Sequence, residues 1–302
     1  MEHSKNSLFG GTQKTKAELA LFMAAMIWAV AVPASKVVME EVKPFVFNAV
    51  RFSLASAFFL TFFTLNGGIR LPEKKDAWKI VWLSLLGQFT YQMFFITGLS
   101  NTSAGNTGLI LGSMPVVTAF FSSVVMRIEK LRAPTWTGIL LAFLGVGVIK
   151  ASGGGLAGAS VDGNAMVIIA AVAFGSYTAL AKPLAGKYGG MNLTAWGVWI
   201  STPMLWIAAL PGALNTEWTS ISAASWFWTA YAGLLSIGVA YSIWFRGTVI
   251  VGPAHTSIYQ NVASALTLLT AWAWLHETPA VLQITGGAAV VTGFWLTRFS
   301  KT

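Results

Sequence analysis

Long apolar runs separated by short polar gaps fill nearly the whole chain. Ten of them run over Ala17–Met39, Pro44–Leu65, Ala77–Leu99, Thr102–Met126, Pro134–Ile149, Gly163–Leu184, Asn192–Pro211, Ala223–Phe245, Pro253–Leu275 and Pro279–Thr297. Crossing about 30 Å of hydrocarbon as helix takes roughly 17 to 25 residues, and all but the short fifth run supply them. None shows the strict alternation of a membrane β-strand. The first run follows Lys14 and Lys16 as a signal peptide would, but it is too long for an h-region and nine more follow it. The pattern predicts an all-α integral membrane protein with ten transmembrane helices.

Composition narrows the functional classes. Charged residues make up 10% of the 302 positions and hydrophobic ones 55%. A soluble domain carries about 25% charge, so the bilayer is the expected solvent. The absence of cysteine excludes disulfides, thiolate metal sites and cysteine nucleophiles. A net charge of +9 would suit a nucleic-acid partner. The basic residues lie scattered in the gaps between apolar runs, so none is predicted. Fourteen of the 19 Lys and Arg fall in segments that alternate crossing puts on one face, against Lys43 and Lys150 on the other; Lys36, Arg51 and Lys182 lie within spans. By the positive-inside rule both termini are cytoplasmic.

The two halves of the chain resemble each other. Trp28 and Lys36 recur as Phe174 and Lys182 at an offset of 146; Glu129, Gly138 and Gly145 recur as Glu277, Gly286 and Gly293 at 148. Between the halves lies a Gly-rich linker, placed at 151–162; the repeats span 17–150 and 163–298, after a tail of 1–16. Five spans per repeat forces the second copy into the membrane upside down. Loop charge agrees: the loop after the fourth span holds Arg127, Lys130 and Arg132, and its twin after the ninth holds no Lys or Arg. Inverted repeats around a midplane site are the architecture of secondary transporters.

The Trp28…Lys36 helix, Pro44…Arg51-Phe52, the Ala104…Pro115…Glu129 run and the Gly138…Gly145 helix resemble the EamA type of the drug/metabolite transporter superfamily. That resemblance implies ten helices in two inverted five-helix repeats, a bacterial inner-membrane location and movement, often export, of small metabolites. The superfamily includes aromatic amino acid exporters of the YddG type, but no motif places the chain in that branch. At the position matching Arg51 the second repeat has Gly197, so any role of Arg51 belongs to one half.

Candidate chemistry is sparse. None of the ten acidic residues lies deep in a span, which argues against strong ion coupling. His255 is a candidate proton carrier, with a hydrogen-bonded interface residue as the plainer reading. Arg51 lies roughly 10 Å below the end of its helix at 1.5 Å per residue. There it either meets a substrate carboxylate or snorkels outward; for Lys36 and Lys182 snorkelling is the expectation. Gln88, Tyr91 and Gln92 share one helix face, and Thr256, Tyr259, Gln260 and Thr267 form a matching stripe. With Asn106 they suggest a polar cavity; polar glue between helices, worth about 0.6 kcal/mol per contact, is the alternative. Trp28, Tyr177, Trp196 and Tyr241 lie deep enough to be stacking walls, whereas Trp near span ends belong to an interfacial belt. Pro33, Pro115 and Pro203 are expected to interrupt their helices, with Gly112 and Pro115 as a gating hinge after the small face of Gly108 and Gly112.

No His-Glu-x-x-His, paired membrane carboxylates or Gly-x-Ser-x-Gly elbow supports an enzyme, and no repeated filter segment supports a channel. The expectation is a transporter of amino acids or similar amphipathic metabolites, acting outward without catalytic residues, metal or cofactor, as monomer or homodimer. An importer or exchanger of the same fold is the alternative, because charge bias orients the chain without fixing the direction of flux.

Overall fold

The computed structural model describes residues 2–151, 161–279 and scattered positions between 281 and 292. Among these the only regular structure is helix. We number the spanning helices α1 (Gln13–Glu41), α2 (Pro44–Leu65), α3 (Lys74–Asn101), α4 (Ala104–Val125), α5 (Ala133–Ala151), α6 (Asp162–Leu180), α7 (Gly190–Ala213), α8 (Ala223–Val251) and α9 (Tyr259–Leu275). Seven of these are long and apolar enough to span a bilayer outright. The ninth predicted span is split at Ile258 into a short helix, Pro253–Ser257, and α9. More than half of the tenth predicted span, and residues 152–160 of the linker, lie outside the described residues.

Local chemistry starts these helices where the apolar runs begin. Pro44 opens α2, where its missing N–H costs nothing. Ser103 and Ser222 cap α4 and α8, their hydroxyls accepting from the Asn106 and Ser225 N–H groups at 3.1 Å.

The halves interlock. α1 packs on α8 and α9, and its counterpart α6 packs on α3 and α4; α2 lies against α7, and α4 against α9. Every pairing has its mirror under the exchange of halves. Residues 146 apart therefore meet near the axis: the Ser56 and Thr202 hydroxyls are 2.9 Å apart, and the Trp28 and Phe174 ring centroids 6.3 Å. Small residues permit the approach, since a Cβ on Gly108 would lie 2.6 Å from Thr267 Cγ2 on α9. The contacting loops are those that alternate crossing puts on one face: α2–α3 with α6–α7, and α1–α2 with α7–α8.

Prolines act differently from the expectation. α1 runs unbroken through Pro33, and α7 through Pro203 and Pro211. These helices stay continuous, and at Pro33 the freed Ala29 carbonyl accepts a bond from Thr270 Oγ1 of α9 at 2.8 Å. α4 alone of the three breaks, at Gly112–Ser113, where Ser113 N–H reaches the Ile110 carbonyl in a tighter turn (2.9 Å) and Pro115 follows. α3 and α8 instead contain π-helical turns at Leu85–Thr90 and Tyr231–Val239, again starting 146 apart. Carbonyls released there find side chains of the other half: Trp28 Nε1 donates to Ser236 O (3.0 Å) and Ser201 Oγ to Ser84 O (3.3 Å).

Candidate functional site

A cavity of about 40 Å³ lies on the axis between α1, α2, α3, α4, α6, α8 and α9. Among the described residues, Arg51 is the only charged one that lines it. Arg51 is 3% exposed; its guanidinium donates through Nε to Asn48 Oδ1 at 2.9 Å and from a terminal nitrogen to Gln92 Oε1. The rings of Phe47 and Phe95 lie 5.1 and 5.6 Å from its centre. Among the described residues no carboxylate comes within ion-pair distance of it. Arg51 does not snorkel; Asn48, one turn earlier on its own helix, turns it inward. Gln92 Nε2 donates to Tyr241 Oη at 2.9 Å, so Gln92 ties the cation of the first half to the phenol of the second.

Four rings form an aromatic wall. Phe174 stands 4.7 Å from Tyr91 and 5.3 Å from Tyr241, and Trp28 stands 5.7 Å from Tyr241, centroid to centroid. Ser35 of α1, Ser236 of α8, and Gln260 and Thr267 of α9 complete the polar lining. A buried cation facing aromatic walls suits a ligand with one anionic and one apolar end.

Of the residues singled out from sequence, Trp28, Arg51, Tyr91, Gln92, Tyr241, Gln260 and Thr267 are brought together here, with Gly108 of the small face beside them. Gln88, Tyr177, Asn106, Trp196 and Tyr259 do not line the cavity. Gln88 lies against Gly197, where a Cβ would come within 2.9 Å of its Cγ, and Tyr177 packs flat on Gly87. Trp196 meets Tyr188 at 5.1 Å, near the end of α7 on the basic face. Asn106 is buried within the first turn of α4, and Tyr259 is buried 6.4 Å from the His255 ring. Of the hinge pair, Gly112 is at the α4 break and Pro115 two residues beyond the break; neither lines the cavity. Phe174 and Phe95 also line the cavity and were not among the candidates read from sequence. The repeat offset linking Phe174 to Trp28 was the signal that could have found the first.

Lys36 also departs from expectation. It does not snorkel but donates to the Leu99, Ser100 and Thr102 carbonyls at 2.9, 3.3 and 2.7 Å, closing the end of α3. His255 lies 3.3 Å from Glu18 on the basic face. On that face too, Lys187 bridges Asp76 and Glu73, both at 2.7 Å. The hydrogen bond from Lys187 holds the exposed Glu73 carboxyl below its usual range, and Asp76, with Glu73, raises the Lys187 ammonium above its own. Among the described residues no group of three or more His, Asp or Glu could hold a metal ion.

A family model for the EamA-like transporter family matches the chain twice, over residues 15–151 and 162–299. The uncharacterized transporter YdfC of Bacillus subtilis (strain 168) is 29% identical over 272 residues, covering 90% of this chain and 87% of the relative. A probable terminal-alkyne amino-acid exporter of Streptantibioticus cattleyicolor is 27% identical over 283 residues, 93% of each chain. A solved crystal structure superposes with a TM-score of 0.72 at 19% identity, over 95% of this chain and 99% of its own, and so shares the fold.

Proposed function

Because this chain belongs to the EamA-like transporter family and is a multi-pass membrane transporter rather than an enzyme, we propose that its axial cavity carries amino acids or related amphipathic carboxylates outward by alternating access. The observation that supports this reading is the buried Arg51 guanidinium, held by amides and facing aromatic rings. Leaving a cation there uncompensated is costly, and a substrate carboxylate would offset that cost. The likeness to an amino-acid exporter supports the substrate class and direction.

A volume of about 40 Å³ accommodates water but no metabolite, since ligand sites take roughly 300 Å³ or more. The arrangement is therefore a contracted one, and substrate enters after the halves separate on one face. The absence of a carboxylate deep in any span favours movement down the substrate's own gradient, or exchange. We place the protein in the bacterial inner membrane with both termini cytoplasmic, built as two repeats over 17–150 and 163–298. The test is counterflow in proteoliposomes with a panel of radiolabelled amino acids: saturable counterflow that Arg51→Met abolishes is expected. Retention of the full rate by that variant would remove Arg51 from the site.

A further inference from the structure

Glu129 and Glu277 occupy matching positions in the two halves, and each reaches across to the other half. The Glu277 carboxylate accepts from the backbone N–H groups of Ala104 (2.9 Å) and Gly105 (2.8 Å), where α4 begins. Glu129 accepts from the Ala254 N–H at 3.0 Å, in the short helix leading into α9. Alternate crossing puts these contacts on opposite faces.

Three further features converge on the same pair. Among the described residues, the only non-glycine positions with positive φ are Arg127 and His276, both at 54°, and each lies just ahead of one of these glutamates. Such backbone is strained for side-chain-bearing residues and here aims the carboxylate across the interface. Gly252 has φ +91°, and a Cβ there would overlap the Glu129 carboxylate. Finally, the segments held are the broken ones: α4 is interrupted at Gly112–Ser113 and the α9 segment at Ile258, with the cavity between them touching Gly108 and Leu111 on one side and Gln260 and Ala263 on the other.

We infer that Glu129 and Glu277 are reciprocal latches of the transport cycle: each closes the cavity on its own face by pinning the broken fourth helix of the other half, and each access state follows release of one while the other holds. With both latched the cavity is contracted, as found. This inference rests on the alternating-access reading. Charge-assisted hydrogen bonds are the stronger class, so neutralising one latch is expected to shift the balance of open states about tenfold.

The natural lack of cysteine provides the assay. Ser35→Cys places a single thiol at the cavity wall, and its labelling by an impermeant maleimide is followed in whole cells and inside-out vesicles. Glu277→Gln is expected to raise labelling from its own face about tenfold relative to the other, and Glu129→Gln to do the reverse. Variants that stay folded yet shift the same face, or neither, overturn the latch. Should a glutamine variant not fold, the pair Glu277→Cys and Ala104→Cys is crosslinked instead. Counterflow is then expected to stop and to return on reduction; unimpeded counterflow with the crosslink intact overturns the latch. If the Ser35→Cys thiol in the otherwise native chain labels freely from both faces at once, the alternating-access reading itself has failed.

Discussion

The Gln92→Glu substitution tests the cavity most sharply because it changes charge and almost nothing else. Gln92 accepts from the Arg51 guanidinium and donates to Tyr241. Glutamate keeps the shape and the first contact, and the Tyr241 hydroxyl can reverse its role to donate. The adjacent cation favours the ionised carboxyl. Two unit charges about 4 Å apart attract by about 4 kcal/mol at an effective dielectric of 20. A hydrogen bond to a charged group is worth about 1.5–3 kcal/mol. A substrate carboxylate would have to displace this internal partner, and the surplus of ~1–2.5 kcal/mol corresponds to a rise in KM of about five- to sixtyfold. Thermal stability should hold or increase, whereas Gln92→Leu, which strands the buried guanidinium, should lose about 1.5–3 kcal/mol. The assay is counterflow of a substrate identified by the amino acid panel, beside an analogue whose carboxylate is amidated. An unchanged KM for the carboxylate substrate in a folded Gln92→Glu protein would refute the view that Arg51 binds it.

Other expectations follow from single contacts. Thr270→Val orphans the Ala29 carbonyl freed by Pro33 and should lower stability by about 1 kcal/mol with transport unchanged, checked by thermal unfolding and counterflow. Gly87→Ala drives a methyl into the Tyr177 ring and should cost about 1–3 kcal/mol or prevent expression. Pro115→Ala restores an N–H after the α4 break and should slow counterflow; a normal rate would show that the break is not a hinge. The Glu73 carboxyl lies below its ordinary value of 4.5, so its contribution is complete above that pH and is lost as pH falls through the lowered value. Melting temperature followed downward from neutrality should decline less steeply in Lys187→Met than in the native protein, and salt should narrow the difference because the group is exposed.

The run lengths, the loop charges and the 146–148-residue offset were enough to reveal a membrane fold with two inverted halves, since hydrocarbon thickness and helical rise leave little choice. They also located Arg51 at depth and the face bearing Tyr91 and Gln92, because helical period puts i and i+1 side chains at known angles. Period says nothing of which foreign helix a face will meet. Gln88, one turn from Gln92, was therefore indistinguishable from it in sequence, yet it ends against Gly197 and away from the cavity. The interlocked packing of α1 with α8 and of α6 with α3 decided that separation. The same packing turned Arg51 inward onto Gln92, folded Lys36 over the end of α3, supplied the partner that keeps α1 continuous through Pro33 and brought Phe174 to the axis. Each outcome is a balance between groups far apart in the chain, and only their juxtaposition settles which partner satisfies a buried charge or a freed carbonyl.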